Sequence, residues 1–186
     1  MDFFSSEEIV ASLGDKAKMK GKLSFVRLCI LGIMAGFCIA LGYLAFIRIT
    51  GTAPTEWGSF NNFLGGALFP VGLIALTFVG GELATGNMMV MTLGVLQKKV
   101  RVGTLCYNWL VVLLTNCLGG FLVAYLFGHI VGLTEGAFLD KTVAVAQAKI
   151  ADPPLVAFVS GIGCNIFVCL AVYLGALAKS YLGKMF

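Results

Sequence analysis

Charge is what this chain has least of. Only 12% of its 186 residues are charged and 59% are hydrophobic, with a mean hydropathy of +0.97. A soluble globular chain carries about 25% charged and about 45–50% apolar residues. The composition therefore excludes a soluble fold and describes an integral membrane protein. Histidine is nearly absent, with His129 alone near the end of an apolar stretch, where it reads as an interfacial residue rather than a proton relay. The six cysteines, Cys29, Cys38, Cys106, Cys117, Cys164 and Cys169, all fall within apolar stretches, and no pair has Cys-x-x-Cys spacing. A zinc site wants about four clustered ligands, so these are read as small hydrophobes and no cofactor is expected. No Gly-x-Gly-x-x-Gly or Walker-type loop occurs, and the long polar segment around 132–153 holds no triad elements. An enzyme is not expected. Long charged runs and low-complexity tracts are also missing, which leaves one membrane domain. Residues 1–22 begin with acids, and the apolar run that follows is too long for a secretory signal.

Four apolar segments can cross a bilayer core of roughly 30 Å, which takes about 20 helical residues. They cover about 23–49, 63–96, 102–131 and 155–178. The second would be about 50 Å long as one straight helix, too long for a simple span. With Pro70 and two glycine pairs inside it, it reads as two half-helices around a non-helical piece. Lipid can neither hydrogen-bond freed backbone nor solvate Glu82, so such a break belongs inside protein or beside a water-filled cavity. The fourth span starts after Pro153-Pro154, which marks a helix entry.

Ten of the thirteen basic residues fall on one side of these spans. Lys16, Lys18, Lys20, Lys22 and Arg27 open the first span, Lys98, Lys99 and Arg101 separate the second and third, and Lys179 and Lys184 follow the fourth. The positive-inside rule then puts both ends in the cytoplasm of a multi-pass inner-membrane protein. The net charge of +4 is an anchoring collar, not a nucleic-acid site. Residues 1–22 read as a cytoplasmic amphipathic helix capped by Ser5 or Ser6, with Glu7 and Glu8 in its first turn. Its apolar face of Ile9, Val10 and Leu13 would lie on the membrane or plug an opening, the former preferred.

Three motifs carry a family resemblance. Phe69-Pro70-Val71-Gly72-Leu73 with Gly81-Glu82-Leu83-Ala84-Thr85-Gly86-Asn87, then Asn108-Trp109-Leu110, then the run Cys164 to Tyr173, resemble the formate/nitrite transporter family in order and spacing. The resemblance runs from the first span to the end of the chain. It implies an all-α, aquaporin-like helical bundle with a broken second transmembrane helix, assembled as a homopentamer with one pore per protomer. It also implies passage of small monovalent weak-acid anions such as formate, nitrite, lactate or hydrosulfide.

Roles follow from the resemblance position by position. Phe69 and Leu73 match the loop that narrows the cytoplasmic side, Leu83 a constriction just past it, and Thr85 a hydroxyl at the pore centre. Lys149 matches the basic residue at the outer vestibule, and Asn165 and Val168 match pore-lining positions on the fourth helix. Each also has an ordinary reading: packing for Phe69, Leu73, Leu83 and Val168, a bond to its own helix for Thr85, a solvated loop charge for Lys149. Glu82 is expected to be a buried structural acid held by backbone N–H groups or a polar partner.

Ala84 stands where formate channels of the family carry a bulky aromatic. The Gly-Glu-Leu-Ala-Thr-Gly-Asn form is closer to the hydrosulfide-channel branch, so hydrosulfide leads the expected substrates. Only four spans are present where the family has six, and the pore histidine of the fifth helix has no match. Either the sequence is truncated at its C-terminal end after Phe186, which is the preferred expectation, or the polypeptide needs help to form the pore. A non-conducting scaffold and a proton-coupled transporter remain as alternatives. A bare anion in a low-dielectric core costs tens of kcal/mol on a Born estimate. Apolar rings should therefore stop strong-acid anions, while a weak-acid anion can shed most of that cost by taking up a proton.

Overall fold

A computed structural model of the chain describes residues 4–178. Lys179 and Lys184, used above for orientation, and the chain end at Phe186 lie outside the described residues. The described residues are overwhelmingly helical, and none forms an extended strand segment.

Helix α1, Ser6–Lys20, starts with a reciprocal cap. The Ser5 hydroxyl accepts from Glu8 N–H at 3.2 Å, and the Glu8 carboxylate accepts from Ser5 N–H at 2.7 Å, which satisfies two donors that the first turn leaves open. Ile9, Leu13 and Ala17 are at most 1% exposed and join Val90, Met91 and Leu105 in one apolar cluster. This corrects the expectation of a helix lying on the bilayer. Two of the three face residues named above, Ile9 and Leu13, are buried in protein, and only Val10 stays exposed.

Helix α2, Phe25–Thr50, crosses α6, Val102–Val123, at very close range. Glycines set that distance: a Cβ at Gly36 would overlap the Asn116 carbonyl, and one at Gly119 would overlap the Ile33 carbonyl. Small residues that admit backbone against backbone are the usual device for joining helices in lipid. A π-helical stretch, Ala124–Ile130, extends α6 to a 29-residue span.

The second apolar segment forms α3, Ser59–Leu68, α4, Val71–Val79, and α5, Ala84–Leu96. Its break is not where proline suggested. Phe69 and Pro70 keep right-handed helical torsions, and Pro70 caps the start of α4, where its missing N–H leaves nothing unpaired. Ser59–Val79 is thus a 21-residue span with a one-turn irregularity, and Leu73 lies inside α4 rather than in a loop. The non-helical piece is 80–83. Gly80 ends α4 at φ +76°, a left-handed conformation that glycine adopts at no steric cost.

Two further helices follow among the described residues. Helix α7, Leu139–Ala151, lies on the side away from α1. Lys149 therefore sits in a helix's last turn, where its charge suits the helix dipole, and not in a loop. Helix α8, Pro154–Leu177, enters at Pro153-Pro154, packs chiefly on α5, and has no fully buried residue.

Candidate functional site

The break at 80–83 is bound into the bundle by backbone and side-chain amides. Glu82 N–H donates to the Leu31 carbonyl of α2 at 3.1 Å. Asn116, the middle residue of the 102–130 span, accepts from Ala84 N–H at 2.8 Å and donates to the Glu82 carbonyl at 2.9 Å and the Gly32 carbonyl at 2.8 Å. Part of the polar backbone freed by the break is thereby satisfied without solvent, as a membrane interior demands.

On the α1 side of the break, Glu82 is 5% exposed. Its carboxylate meets Lys20 Nζ of α1 at 2.6 Å and accepts from Asn87 Nδ2 at 2.7 Å. Asn87 Nδ2 also reaches Asn108 Oδ1 at 2.8 Å, and the Trp109 indole N–H donates to the Asn87 carbonyl at 3.3 Å. The network joins α1, the break, α5 and α6. An acid this buried needs such a partner, because an unpaired charge there would be far costlier than the pair.

On the opposite side of the break lies a cavity of about 660 Å³ between α2, α6 and α7. Leu83, Gly36 and Asn116 line its inner end, and Thr134, Thr142 and Lys149 line the other. Between them, Gly36 to Ile47 of α2 forms one wall, about 16 Å long at 1.5 Å per residue. That wall is apolar apart from Tyr43. Among the described residues no acceptor holds Lys149, which is exposed, whereas Arg48 donates to the Leu133 carbonyl and stacks over Phe138. Lys149 is therefore left to face the cavity mouth.

The other residues singled out by sequence are not part of this lining. Phe69 is half-buried behind the wall, edge-on to Tyr43 with ring centroids 5.9 Å apart, and Leu73 is half-buried on α4. Ala84 packs in a small core with Leu28 and Val112. Asn165 and Val168 are half-buried on α8. Thr85 departs from its relatives in the chain. Thr50, Thr77, Thr92, Thr115 and Thr142 each donate to the carbonyl four residues back, but the buried Thr85 hydroxyl has no partner among the described residues. The buried Asn165 Oδ1 is likewise unpartnered.

Sequence reasoning missed Asn116 and Lys20 as members of the site. A polar amide at the centre of an apolar span was the available signal for Asn116. For Lys20 there was none, since one lysine in a basic collar looks like the others. Among the described residues, no group of three or more His, Cys, Asp or Glu side chains is placed to hold a metal.

Membrane-spanning helices around a broken segment, with an apolar funnel ending at the break, define a membrane transport protein. The chain belongs to the formate/nitrite transporter family, which it matches over residues 7–186. It is 45% identical to the uncharacterized transporter YrhG of Bacillus subtilis over its whole length and 70% of that protein. It is 40% identical to the formate channel BtFdhC of Bacillus thuringiensis, covering all of this chain and 71% of that one. Among solved structures, an FNT family ion channel superposes with a TM-score of 0.88 at 24% identity, covering 96% of this chain and 73% of that chain; this bears on the fold alone.

Proposed function

We propose that the chain is the pore-bearing part of a channel for small monovalent weak-acid anions, with formate the first candidate. The carrying observation is the cavity itself, open beside Lys149, which has no ion-pair partner among the described residues, and ending at Leu83 where a membrane helix is broken. Lys149 would gather anions, the apolar wall would disfavour strong-acid anions that must cross fully charged, and Leu83 would set the narrowest point at this end. Beyond Leu83, the Thr85 and Gly86 N–H groups at the start of α5 and the Thr85 hydroxyl, which has no partner among the described residues, offer donors to an anion or its conjugate acid. Phe69 and Leu73 would narrow the path on the α1 side, Asn165 and Val168 would line it from α8, and Glu82 would hold the break in shape. The relative named as a formate channel, 40% identical along the whole of this chain, supports formate.

Hydrosulfide is a second reading, favoured by the Gly81-Glu82-Leu83-Ala84-Thr85-Gly86-Asn87 form with its small Ala84. Ala84 packs against Leu28 and Val112 in a small core and does not line the cavity, which weakens that preference. In either reading the protein is a homopentamer in the inner membrane with both termini in the cytoplasm and a pore in each protomer.

Proteoliposomes swelling in sodium formate, sodium hydrosulfide and glycerol test the reading. Rapid swelling in formate with none in glycerol is expected. A folded protein that passes neither anion would be a scaffold, and anion entry only under an imposed proton gradient would make it a coupled transporter.

A further inference from the structure

We propose that Asn116 is a positioning residue for the constriction: its carboxamide clamps the peptide units on both sides of Leu83 and so fixes how far that side chain reaches into the cavity. The proposal rests on the reading of Leu83 as a constriction. The geometry is that of a strand edge compressed into one side chain. Asn116 Oδ1 accepts from Ala84 N–H at 2.8 Å while Nδ2 donates to the Glu82 carbonyl at 2.9 Å, so the two bonds straddle Leu83. Between them Leu83 is held extended, at φ −98° and ψ 129°, just ahead of the helix that starts at Ala84. The second Nδ2 hydrogen reaches the Gly32 carbonyl at 2.8 Å, which pegs the clamp to α2.

A short side chain can reach three backbone groups only because α2 and α6 lie so close. Gly36 and Gly119 make that approach possible. Asn116 and Leu83 also share the inner end of the cavity, so the clamp and the clamped residue face the same space. The other bonds of the segment do not bracket Leu83 in this way: its own carbonyl accepts from Asn87 N–H at 2.8 Å, which holds its C-terminal side to the helix, and the rest lie before it. Gly80 and Gly81 N–H both go to the Leu76 carbonyl, and Glu82 N–H goes to Leu31, all ahead of Leu83. Without the carboxamide, the Glu82 carbonyl and Ala84 N–H would lose their partner inside the membrane. The segment would then turn to find others and carry Leu83 with it.

A double-variant cycle tests this in the full chain reconstituted in liposomes, reading the permeability ratio of a larger carboxylate, lactate, to formate. Asn116→Leu keeps the branched shape of the side chain at a larger volume and removes its three hydrogen bonds. It should shift the ratio by about two- to tenfold, the factor that one or two net hydrogen bonds represent. Leu83→Ala should shift it too, and the pair together should do no more than Leu83→Ala alone, because a clamp has nothing to position once the side chain is gone. If Leu83→Ala changes the ratio and Asn116→Leu does not, or if the two effects add, the positioning role is wrong while the constriction stands. If Leu83→Ala leaves the ratio unchanged, the constriction reading fails and the positioning role with it. Should Asn116→Leu prevent assembly, Asn116→Ser enters the same cycle, since one hydroxyl cannot bridge both peptide groups.

Discussion

Lys149 and Leu83 sit at opposite ends of one cavity, and they should control different properties of it. Lys149 is exposed and acts through a field that reaches about a Debye length, about 8 Å at physiological salt. Lys149→Glu should lower anion flux most at low ionic strength and keep the order of preferred anions. A loss that ignores salt, or a changed order, would count against steering. Leu83 acts through volume. Leu83→Val removes one methylene and costs under about 1.5 kcal/mol as packing, so the fold should survive. The permeability of larger anions should then rise relative to hydrosulfide, measured by swelling rates, and an unchanged order would return Leu83 to the core. At this scale the sequence was informative about individual residues and silent about their company. Motif and spacing marked Leu83, Thr85 and Lys149, but the pairing of Leu83 with Asn116 depends on a helix crossing that no local pattern displays.

At the scale of elements, α1 and the broken segment form one unit through Leu13, Ala17 and the Lys20–Glu82 pair. Leu13→Ala should cost about 2–5 kcal/mol, because a side chain only 1% exposed leaves a cavity. Lys20→Met should destabilise toward the lower end of about 3–5 kcal/mol, since 21% of the Lys20 side chain is accessible. Adding Glu82→Gln should restore most of the loss, read as thermal stability in detergent; no recovery would mean that Lys20 matters for packing alone. The exposed Asp15–Lys99 pair, 2.7 Å apart, gives α1 a weaker tie. A hydrogen bond from Lys99 and its charge hold the Asp15 carboxyl below its ordinary 3.8. A depressed carboxyl contributes stability above its unfolded value and loses it as pH falls through the folded one. Hydrogen exchange in α1 should therefore quicken slightly below pH 3.8, and Asp15→Asn should remove that dependence. The spans and the Pro153-Pro154 entry were legible because hydropathy and proline act locally. The break was legible only as the wider stretch 69–85, of which 80–83 is the non-helical part. Pro70 was the louder signal, yet a proline opening a helix leaves no group unpaired, whereas 80–83 is non-helical because Gly80 turns left-handed and Asn116 receives the freed backbone. The docking of α1 was hidden for a related reason: an apolar face suits lipid or protein equally, and its partners Val90, Met91 and Leu105 lie far along the chain.

For the molecule as a whole, the small residues of the first span, Gly32, Ala35, Gly36, Ala40 and Gly42, could serve contacts within the chain or between chains. The structure assigns several of them within: Gly32 and Gly36 meet α6, while Gly42 meets the Phe69 carbonyl and Gly72. In the proposed pentamer, contacts between subunits would use other surfaces, and large apolar side chains are available along α6 at Leu110, Leu114 and Phe121 and along α8 at Phe158, Ile166 and Phe167. The cavity lies between helices of a single chain, so its opening beside Lys149 needs no neighbour, and a ring of such chains would carry one path per protomer around a central axis of apolar surfaces. Native mass spectrometry of the full chain from the membrane should give a pentamer. A cysteine placed at Thr85, in a background with the six native cysteines replaced, should react with small thiol reagents from water. Block should then rise in proportion to the fraction of protomers modified, because each path closes alone. A stable monomer would remove the ring, and complete block after one modification per ring would move the path to the shared axis.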